Sequence, residues 1–397
     1  MAARIPNGYR MTGKHCGIKK ASDQEDITLI VSDRDAVAAG VYTQNQFRAA
    51  PVVLDCERTP GSNIRAIVAN SGNANACTGE QGAKDAVEMT LQVAKSIDVD
   101  PKQVLVLSTG IIGEHLPMDE ISRGIADSSN DLGNDNEALQ KASRGILTTD
   151  THSKIAFEDV NCDDGSYSVL GIAKGAAMIG PNMATMLGVI LTDAMLDPSD
   201  AQTVLKSAVD SSFNSISVEG HTSTNDTVLL LANGAAQSKR LEGKSLEDFQ
   251  NALQNVCIEL ARAIPGDGEG ATHRIEIQIK SARNRSEAHQ IAKAVADGPL
   301  VKTAVHGADP NWGRIISAVG YAGVPIQPEK LRLHLNGTLL FENETPVPFD
   351  TEAVSNSIRE NRETLIEIEL QLGNCDLTFW TCDLTAEYVR LNADYHT

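Results

Sequence analysis

Short apolar runs recur along the first half of the chain, and stretches with helical spacing separate them. Residues 27–31 and 104–107 are rich in aliphatic side chains, which is typical of buried strands. Residues 80–97 instead space their apolar side chains as on one face of a helix. Ser199, with Gln202 three positions later, predicts the start of another helix. The predicted inner face of the helix at 80–97 carries Ala83, Ala86, Val87, Thr90, Leu91 and Ala94.

The last third of the chain shows a two-residue period. Residues 275–279 and 366–370 alternate isoleucine or leucine with polar side chains, as half-buried strands do. Residues 331–341 predict a hairpin, because two alternating runs flank Asn336–Gly337, a dipeptide typical of tight turns. One-sided strands with helices between them predict an α/β protein in which sheets pack face to face beneath helices.

The composition and the net charge mainly exclude classes of protein. The 397 residues include 53 acidic and 34 basic side chains, which gives a formal net charge of −19. Nucleic-acid binding needs a basic footprint, so this balance argues against nucleic acid as a partner. The amino terminus lacks the apolar core of a signal peptide. The longest apolar stretch, 169–191, contains Lys174 and Pro181, which argues against a membrane span.

The cysteines and histidines show no metal-type spacing. The seven cysteines include no CxxC pair, and an odd number without a secretion signal fits reduced thiols in the cytoplasm. Residues 306–314 (His-Gly-Ala-Asp-Pro-Asn-Trp-Gly-Arg) are dense in polar groups, but no second histidine or cysteine stands at ligand spacing there. We therefore predict a cytoplasmic protein with no metal site and no cofactor.

The threonine at position 185 is a candidate nucleophile. Thr185 stands between a turn-prone segment, 180–182, and an apolar, strand-like run, 186–191. Its Oγ could attack the carbonyl of Ala184, and hydrolysis of the resulting ester would expose a threonine whose own α-amine serves as base. The local sequence alone favours the simpler alternative of a buried strand threonine, because threonine suits strands.

Two glycine-containing segments could bind charged groups. The Thr109 hydroxyl and the Gly110 N–H follow a predicted strand and could stabilise an oxyanion, although an ordinary glycine turn is the simpler local explanation. Residues 266–270 (Gly-Asp-Gly-Glu-Gly) follow a predicted helix rather than a strand, so they do not fit a dinucleotide loop. They could present Glu269 or Asp267 to a cationic ligand, or form a solvated loop.

Several short segments occur together and in order along nearly the whole chain. They are residues 70–75 (NSGNAN), 108–110 (STG), 148–151 (TTDT), 174–175 (KG), 183–187 (MATML), 222–227 (TSTNDT), 267–271 (DGEGA), 306–314, 382–385 (CDLT) and 388–397. Each is weak alone, but the ordered set is specific. With these segments the chain resembles the ornithine acetyltransferase family, the glutamate N-acetyltransferases of arginine biosynthesis.

The resemblance implies self-cleavage followed by acetyl transfer. The implied cut between Ala184 and Thr185 leaves an α chain of residues 1–184 and a β chain of residues 185–397. Thr185 would then take an acetyl group from N-acetylornithine and give it to glutamate in a ping-pong reaction. Acetyl-CoA is a further candidate donor.

The motif match also implies roles for individual side chains. Thr109 and Gly110 would form the oxyanion hole. Lys174 would place positive charge near the substrate carboxylate or the amine of Thr185, and Glu269 would pair with the δ-ammonium of ornithine. The implied substrate contacts are Thr148, Lys174, Thr185, Glu269, Asn392 and Thr397.

The family fold is an α/β sandwich of the α-β-β-α type, with two sheets between helix layers, similar in layering to self-cleaving aminopeptidases. The resemblance implies a main catalytic domain at about 1–272 and a smaller C-terminal α/β part at about 273–397 that returns to the active site. It also implies a heterotetramer of two α and two β chains. The alternatives are a self-cleaving aminopeptidase or amidase and an uncleaved amino-acid-binding protein in which Thr185 is structural.

The chain departs from the family pattern at a few positions. Glu219 and His221 stand where aspartates are usual, His273 stands where lysine is common, and Asp394 and His396 replace the usual residues near the end. We expect these departures to affect fine substrate choice rather than cleavage, because the segment around Thr185 is intact.

Overall fold

A computed structural model describes residues 3–21, 24–162, 165–180, 186–236 and 239–394. No helix in these ranges is long and apolar enough to cross a membrane. The strands are β1 (Tyr9–Lys14), β2 (Ile27–Tyr42), β3 (Gly61–Asn73), β4 (Val104–Ile111), β5 (Lys154–Cys162), β6 (Gly165–Lys174), β7 (Leu187–Thr192), β8 (Thr227–Ala232), β9 (Arg274–Ala282), β10 (Arg332–Leu335), β11 (Thr338–Glu342), β12 (Thr345–Pro346), β13 (Glu363–Glu369) and β14 (Cys375–Cys382). The helices are α1 (Ala50–Cys56), α2 (Gly79–Ile97), α3 (Met118–Ser129), α4 (Asn136–Gly145), α5 (Pro198–Asp210), α6 (Gly243–Gly266), α7 (Arg285–Ala296), α8 (Pro299–His306), α9 (Trp312–Gly320), α10 (Thr351–Arg359) and α11 (Ala386–Asp394).

The first sheet has eight strands and folds over on itself along its longest strand, β2. Its order is β4-β3-β2-β8-β7-β6-β5, and β1 also pairs with β2. The first part of β2 pairs with β3, where Ile30 lies opposite Ile67, whereas its second part pairs with β8, where Ala39 lies opposite Leu230. Exposed polar residues 33–35 and an irregular register separate the two parts. This break lets one sheet form two facing layers.

Alternating side chains show what each face of a strand meets. In β8, Leu229 and Leu231 pack into a core that also holds Ile67 of β3. Leu230 points to the opposite face and packs into a core shared with α5 and α6. On the outer face of the other layer, Val106 of β4 packs with α2 and α3. The order is helices, sheet layer, sheet layer, helices, which confirms the predicted α-β-β-α sandwich.

A second sheet, in the order β12-β11-β10-β13-β9-β14, follows in the chain. Strands β9 and β13 are parallel, and the other pairs within it are antiparallel. Helices α7 to α10 share its core. Strand β14 contacts both parts of the molecule, because Phe379 packs into this core and Trp380 packs into the core of α5 and α6. The chain therefore enters α11 from a strand that is anchored on both faces.

The hairpin predicted at Asn336–Gly337 is confirmed, with φ angles of 47° and 81° at the two turn residues. The predicted helix start at Ser199 is wrong. Helix α5 begins after Asp197, whose carboxylate accepts the amide of Ser199, because Pro198 suits the first helical position. Gln202 instead bonds to the backbone of β2.

The predicted inner face of α2 is also wrong in part. Ala83 is exposed. Val87 and Leu91 are 41% and 44% exposed, whereas Met89 and Val93 are fully buried. Both pairs have helical spacing, so periodicity does not choose between them. The choice is made by packing, since Met89 and Val93 meet β4 and α3 in one core.

The facing layers generate a stability prediction. We expect Leu231→Ala to lower the free energy of unfolding by about 2–5 kcal/mol, because it leaves a cavity between the layers. Val87→Ala, on the exposed face of α2, is the matched control and should cost about 0.5 kcal/mol or less. Urea unfolding followed by circular dichroism measures both. Equal losses would contradict the layer assignment.

Candidate active site

A cavity of about 320 Å³ opens beside the ends of β4 and β6. Its walls come from parts of the chain that are far apart in sequence. Ala184, Thr185, His396 and Thr397 lie outside the described residues. The other residues to which the resemblance assigns a role line this cavity together: Thr109, Gly110, Thr148, Lys174, Glu269 and Asn392.

Gly110 allows β3 and β4 to approach each other beside the cavity. It lies opposite Gly72 in the parallel register of the two strands. Its φ angle is +134°, and a Cβ there would stand 2.2 Å from the carbonyl carbon of Gly72 and 2.4 Å from the nitrogen of Asn73. Only glycine fits this backbone and this spacing. Thr109, the residue before it, is buried, so the pair presents a hydroxyl and a backbone amide at the same place.

Lys174 places a buried ammonium group at the cavity wall. Its Nζ donates to Thr109 Oγ1 at 3.3 Å and lies 4.0 Å from Asp150 Oδ2. Burial lowers the pKa of Lys174, and the nearby Asp150 carboxylate opposes that change. Because an ammonium group can only donate, Thr109 accepts from Lys174 and keeps its own hydroxyl proton free for another acceptor. Thr109 is therefore available as a donor into the cavity.

Buried ion pairs support Lys174 from behind. Asp150 accepts from Lys154 Nζ at 2.7 Å and from the N–H of Gly175 at 2.6 Å. Lys154 also donates to Asp267 Oδ2 at 2.6 Å. Burial alone would raise the pKa of Asp150, but the charges of Lys174 and Lys154 outweigh it and hold that pKa below its ordinary value. The carboxylates of Asp150 and Asp267 therefore both pair with these lysines.

Glu269 and Asn392 meet at the cavity from distant parts of the chain. Asn392, on α11, donates from Nδ2 to Glu269 Oε2 at 2.9 Å. The N–H of Glu269 donates to the carbonyl of Ala176 at 3.0 Å, which fixes the loop. The sequence left Asp267 and Glu269 as equal candidates for a cationic ligand. Asp267 is buried against Lys154, and of the two it is Glu269 that lines the cavity.

Asn225 organises the cavity, although no sequence pattern predicted an individual role for it. Its Nδ2 donates to the carbonyl of Ala74 at 2.7 Å and to that of Ser108 at 2.8 Å, which joins the chain segments at the ends of β3 and β4. The only sequence signal was its place in the segment 222–227. A polar run does not reveal which carbonyl groups it will reach.

Asp226 holds the start of β7. Its Oδ1 accepts the N–H of Met186, the residue that follows Thr185 in the sequence, at 3.1 Å. Burial raises the pKa of this carboxyl group well above its ordinary value. A neutral carboxyl group can both accept from this amide and keep a proton. Asp226 thus fixes the first described residue after the predicted cleavage point.

The positions that depart from the family pattern lie away from the cavity lining where they are described. The side chain of Glu219 is 11% exposed, with Oε1 3.7 Å from Nδ1 of His221. Burial raises the pKa of Glu219 to about 7. His273 lies beside Asp383, with 3.4 Å between Nδ1 and Oδ2. Their expected effect on substrate choice stays a prediction.

The cavity combines hydrogen-bond donors that can stabilise a negative charge with a carboxylate that can pair with a positive charge. Thr109 and Gly110 offer a hydroxyl and an amide, and Lys174 adds a buried ammonium group next to them. Glu269 supplies the opposite charge in the same cavity. A small amino acid that carries both a carboxylate and an extra ammonium group matches this distribution, and the volume suits a small molecule.

Comparison with known proteins identifies relatives over the full length. The model of the ArgJ family matches residues 10–397. Arginine biosynthesis bifunctional protein ArgJ from Rhodopirellula baltica is 45% identical over 396 residues, which cover 99% of this chain and 96% of that protein. The protein of the same name from Bacillus licheniformis is 45% identical over 395 residues, with the same two coverages. The crystal structure of arginine biosynthesis bifunctional protein ArgJ from Bacillus halodurans is 39% identical in sequence at a TM-score of 0.50, and the match covers 51% of this chain and 96% of that one.

The raised pKa of Glu219 generates a pH prediction. The folded protein keeps a proton on Glu219 that the unfolded chain releases above about pH 4.5. The contribution of this proton to the free energy of unfolding is therefore full at low pH and is lost as the pH rises from 4.5 to about 7. The pKa difference corresponds to about 3 kcal/mol. Between about pH 5 and about pH 8, the free energy of unfolding should therefore fall further in the wild type than in Glu219→Gln, by up to about 3 kcal/mol. Urea unfolding at both pH values measures this difference, and His221→Gln controls for the neighbouring imidazole. Parallel pH profiles of wild type and Glu219→Gln would contradict the assignment.

Proposed function

We propose that this chain, which belongs to the ArgJ family, is a self-processing acetyltransferase that moves an acetyl group from N-acetylornithine to glutamate. The family match confirms the resemblance found in the motifs. The observation that carries the mechanism is the convergence of Thr109, Lys174 and Glu269 on one cavity. The name of the relatives supports a place in arginine biosynthesis.

Thr185 is the proposed nucleophile and marks the proposed cut. Its Oγ attacks the carbonyl carbon of Ala184, and the bond from that carbon to the Thr185 nitrogen breaks. The hydroxyl proton passes to that nitrogen, and the chain continues through an ester. Water then hydrolyses the ester, which leaves a carboxylate on Ala184 and a free α-amine on Thr185. The products are an α chain of residues 1–184 and a β chain of residues 185–397.

The fold supports products that stay together after this cut. Lys174, at the end of β6, pairs with Leu187, at the start of β7, so the strands on either side of the proposed cut are neighbours in one sheet. The cavity takes Lys174 from the first product and Glu269 from the second. The solved relative is about half as long as this chain and is almost wholly matched, which is the size expected of one cleavage product.

Acetyl transfer uses the same hydroxyl group. The Oγ of Thr185 attacks the acetyl carbon of N-acetylornithine while its α-amine accepts the hydroxyl proton. Thr109 and Gly110 donate to the oxyanion of the tetrahedral intermediate. The proton passes to the departing nitrogen, so ornithine leaves and Thr185 carries an acetyl ester. The amine of glutamate then attacks this ester, gives its proton to the base, and leaves as N-acetylglutamate.

The charges of the cavity support the proposed substrate contacts. Lys174 pairs with the substrate carboxylate, and Glu269 pairs with the δ-ammonium group of ornithine. Asn392 holds the Glu269 carboxylate in place through the 2.9 Å hydrogen bond. Thr148 and Thr397 complete the proposed contacts. The carboxylate and the ammonium of ornithine are thus recognised by opposite charges.

A second donor and an assembly complete the proposal. The relatives are named bifunctional, which supports a second activity. We assign it to acetyl-CoA, whose thioester gives the same acetyl ester on Thr185 when the thiol of coenzyme A leaves.

We also propose that two α and two β chains assemble. The seven free cysteines support a cytoplasmic location.

The decisive experiment follows processing and transfer together. Purified wild-type protein should run as two chains, and the β chain should gain the mass of one acetyl group with acetylornithine alone. Added glutamate should remove that mass and yield N-acetylglutamate. Acetyl-CoA with glutamate tests the second donor. Release of acetate at the same rate with and without glutamate would instead support a hydrolase.

Replacing the nucleophile tests both steps. Thr185→Ala should stay a single uncut chain with no transfer, because neither attack can occur without the hydroxyl group. Thr185→Ser keeps a hydroxyl group and is the matched control, which should be cut and should transfer acetyl. A cut, active Thr185→Ala protein would refute the nucleophile assignment.

Replacing the carboxylate of Glu269 tests substrate recognition. Glu269→Gln should lower kcat/KM for N-acetylornithine by roughly 10- to 100-fold, because a charged contact is lost while size and hydrogen bonding to Asn392 are kept. N-acetylnorvaline, which lacks only the δ-amine, is the control substrate and should change little. Equal losses on the two substrates would contradict the pairing with the δ-ammonium group.

A further inference from the structure

Two imidazoles and a carboxylate converge at a place away from the cavity. His273 directly precedes β9, His306 ends α8, and Asp383 directly follows β14. One nitrogen or oxygen atom from each lies within 4.8 Å of those of the other two. None of the three lines the cavity, and the proposed transfer reaction uses none of them. Histidine nitrogen and carboxylate oxygen are the usual non-thiolate ligands of zinc.

The two distances from the carboxylate to the imidazoles match those between the ligands of a metal ion. Oδ2 of Asp383 lies 3.0 Å from Nδ1 of His306 and 3.4 Å from Nδ1 of His273. The Thr272 hydroxyl oxygen lies 2.9 and 3.2 Å from Nδ1 of His273 and His306, respectively. Ligand atoms about 2.0 Å from a tetrahedral zinc ion stand about 3.3 Å from one another. An ion could therefore be held after only small side-chain movements.

The carboxylate of the cluster is fixed before any ion arrives. Oδ1 of Asp383 accepts the amide of Thr272 at 2.8 Å and that of His273 at 2.9 Å. These two bonds hold the carboxylate with Oδ2 towards the imidazoles, as supporting hydrogen bonds do around metal ligands. Oδ2 also accepts the hydroxyl of Thr272, a bond that a metal ion would replace. The Asp383 side chain is fully buried, whereas that of His306 is 43% exposed. The cluster is thus preorganised on one side and open to solvent on the other.

We propose that His273, His306 and Asp383 form a binding site for a divalent transition-metal ion, best suited to Zn²⁺. Each imidazole binds through Nδ1 in its neutral form and gives up any proton there, and Asp383 binds as the carboxylate. The fourth position belongs to a water molecule beside the Thr272 hydroxyl.

The site depends on the identity of residue 273. A lysine in place of His273 would pair with Asp383 without providing a metal ligand of the usual kind. Spacing along the sequence did not predict the site, since His273 and Asp383 are 110 residues apart. The strands β9 and β14 bring them together, because Arg274 pairs with Cys382.

The ion would tie together segments that lead to the cavity. Thr272 and His273 follow the loop of Glu269, and Asp383 precedes α11, which carries Asn392. Metal binding does not depend on the proposed acetyltransferase activity. It should raise the unfolding temperature, because an ion that binds only the folded chain stabilises it.

Zinc binding can be measured directly on the full-length protein without an affinity tag. Protein stripped with a chelator should bind about one Zn²⁺ per chain in competition with a chromophoric chelator. His273→Asn and His306→Asn should each weaken binding by at least about 100-fold, since loss of a ligand costs more than loss of a supporting contact. His115→Asn, which changes an exposed histidine elsewhere, is the matched control and should bind like the wild type.

Two further measurements keep the proposal open to refutation. Co²⁺ in place of Zn²⁺ should give a visible spectrum of nitrogen and oxygen ligation, and bands of thiolate ligation would place the ion on a cysteine instead. His273→Lys keeps a partner for Asp383 and should fold like the wild type, as judged by circular dichroism, yet bind no more zinc than the double variant His273→Asn/His306→Asn. Wild-type protein that binds no more zinc than this double variant would overturn the proposal.

Discussion

The candidate site depends on a buried lysine, Lys174, whose ammonium form is disfavoured by burial and favoured by a neighbouring carboxylate. Lys174 is held by Asp150, whose own charge is sustained by Lys154, and Asp267 completes the set. Two lysines and two aspartates sum to zero net charge. Loss of one member would leave a buried charge uncompensated, which costs about 3–5 kcal/mol. The network therefore fixes the wall of the cavity and the loop of Glu269 with one set of contacts.

The same residues show how far sequence reasoning reaches. The alternation of apolar and polar residues predicted the hairpin at Asn336–Gly337. The helical spacing of apolar residues predicted α2, but not which of its faces is buried. The meeting of Lys174 with Thr109 came only through family resemblance, because no local pattern reports a contact between residues 65 positions apart. The role of Asp150 escaped prediction for a physical reason. An aspartate in a polar run is ordinarily solvated, but Asp150 is buried with Lys154, four positions later, and with the more distant Lys174.

The contacts of Gly72, Gly110 and Asn225 explain why three motifs of the resemblance belong together. The parallel register places Gly72 opposite Gly110, and a side chain on Gly110 would collide with the neighbouring backbone. Asn225 then joins the ends of both strands through the carbonyls of Ala74 and Ser108. Three segments that look independent in the sequence form one rigid wall. Rigidity matters here because oxyanion donors act only when they are already in place.

A chain cut at an active site usually loses the geometry that the site requires, and the pairing of β6 with β7 removes that difficulty. Every residue of β7 is buried, and the strand is bonded to β6 on one side and to β8 on the other. Met186 is held further by Asp226. The strands on both sides of the proposed cut are therefore fixed by the sheet and not by the peptide bond between them. Breaking that bond would free an amine while leaving Lys174 and its charge network where the intact chain placed them.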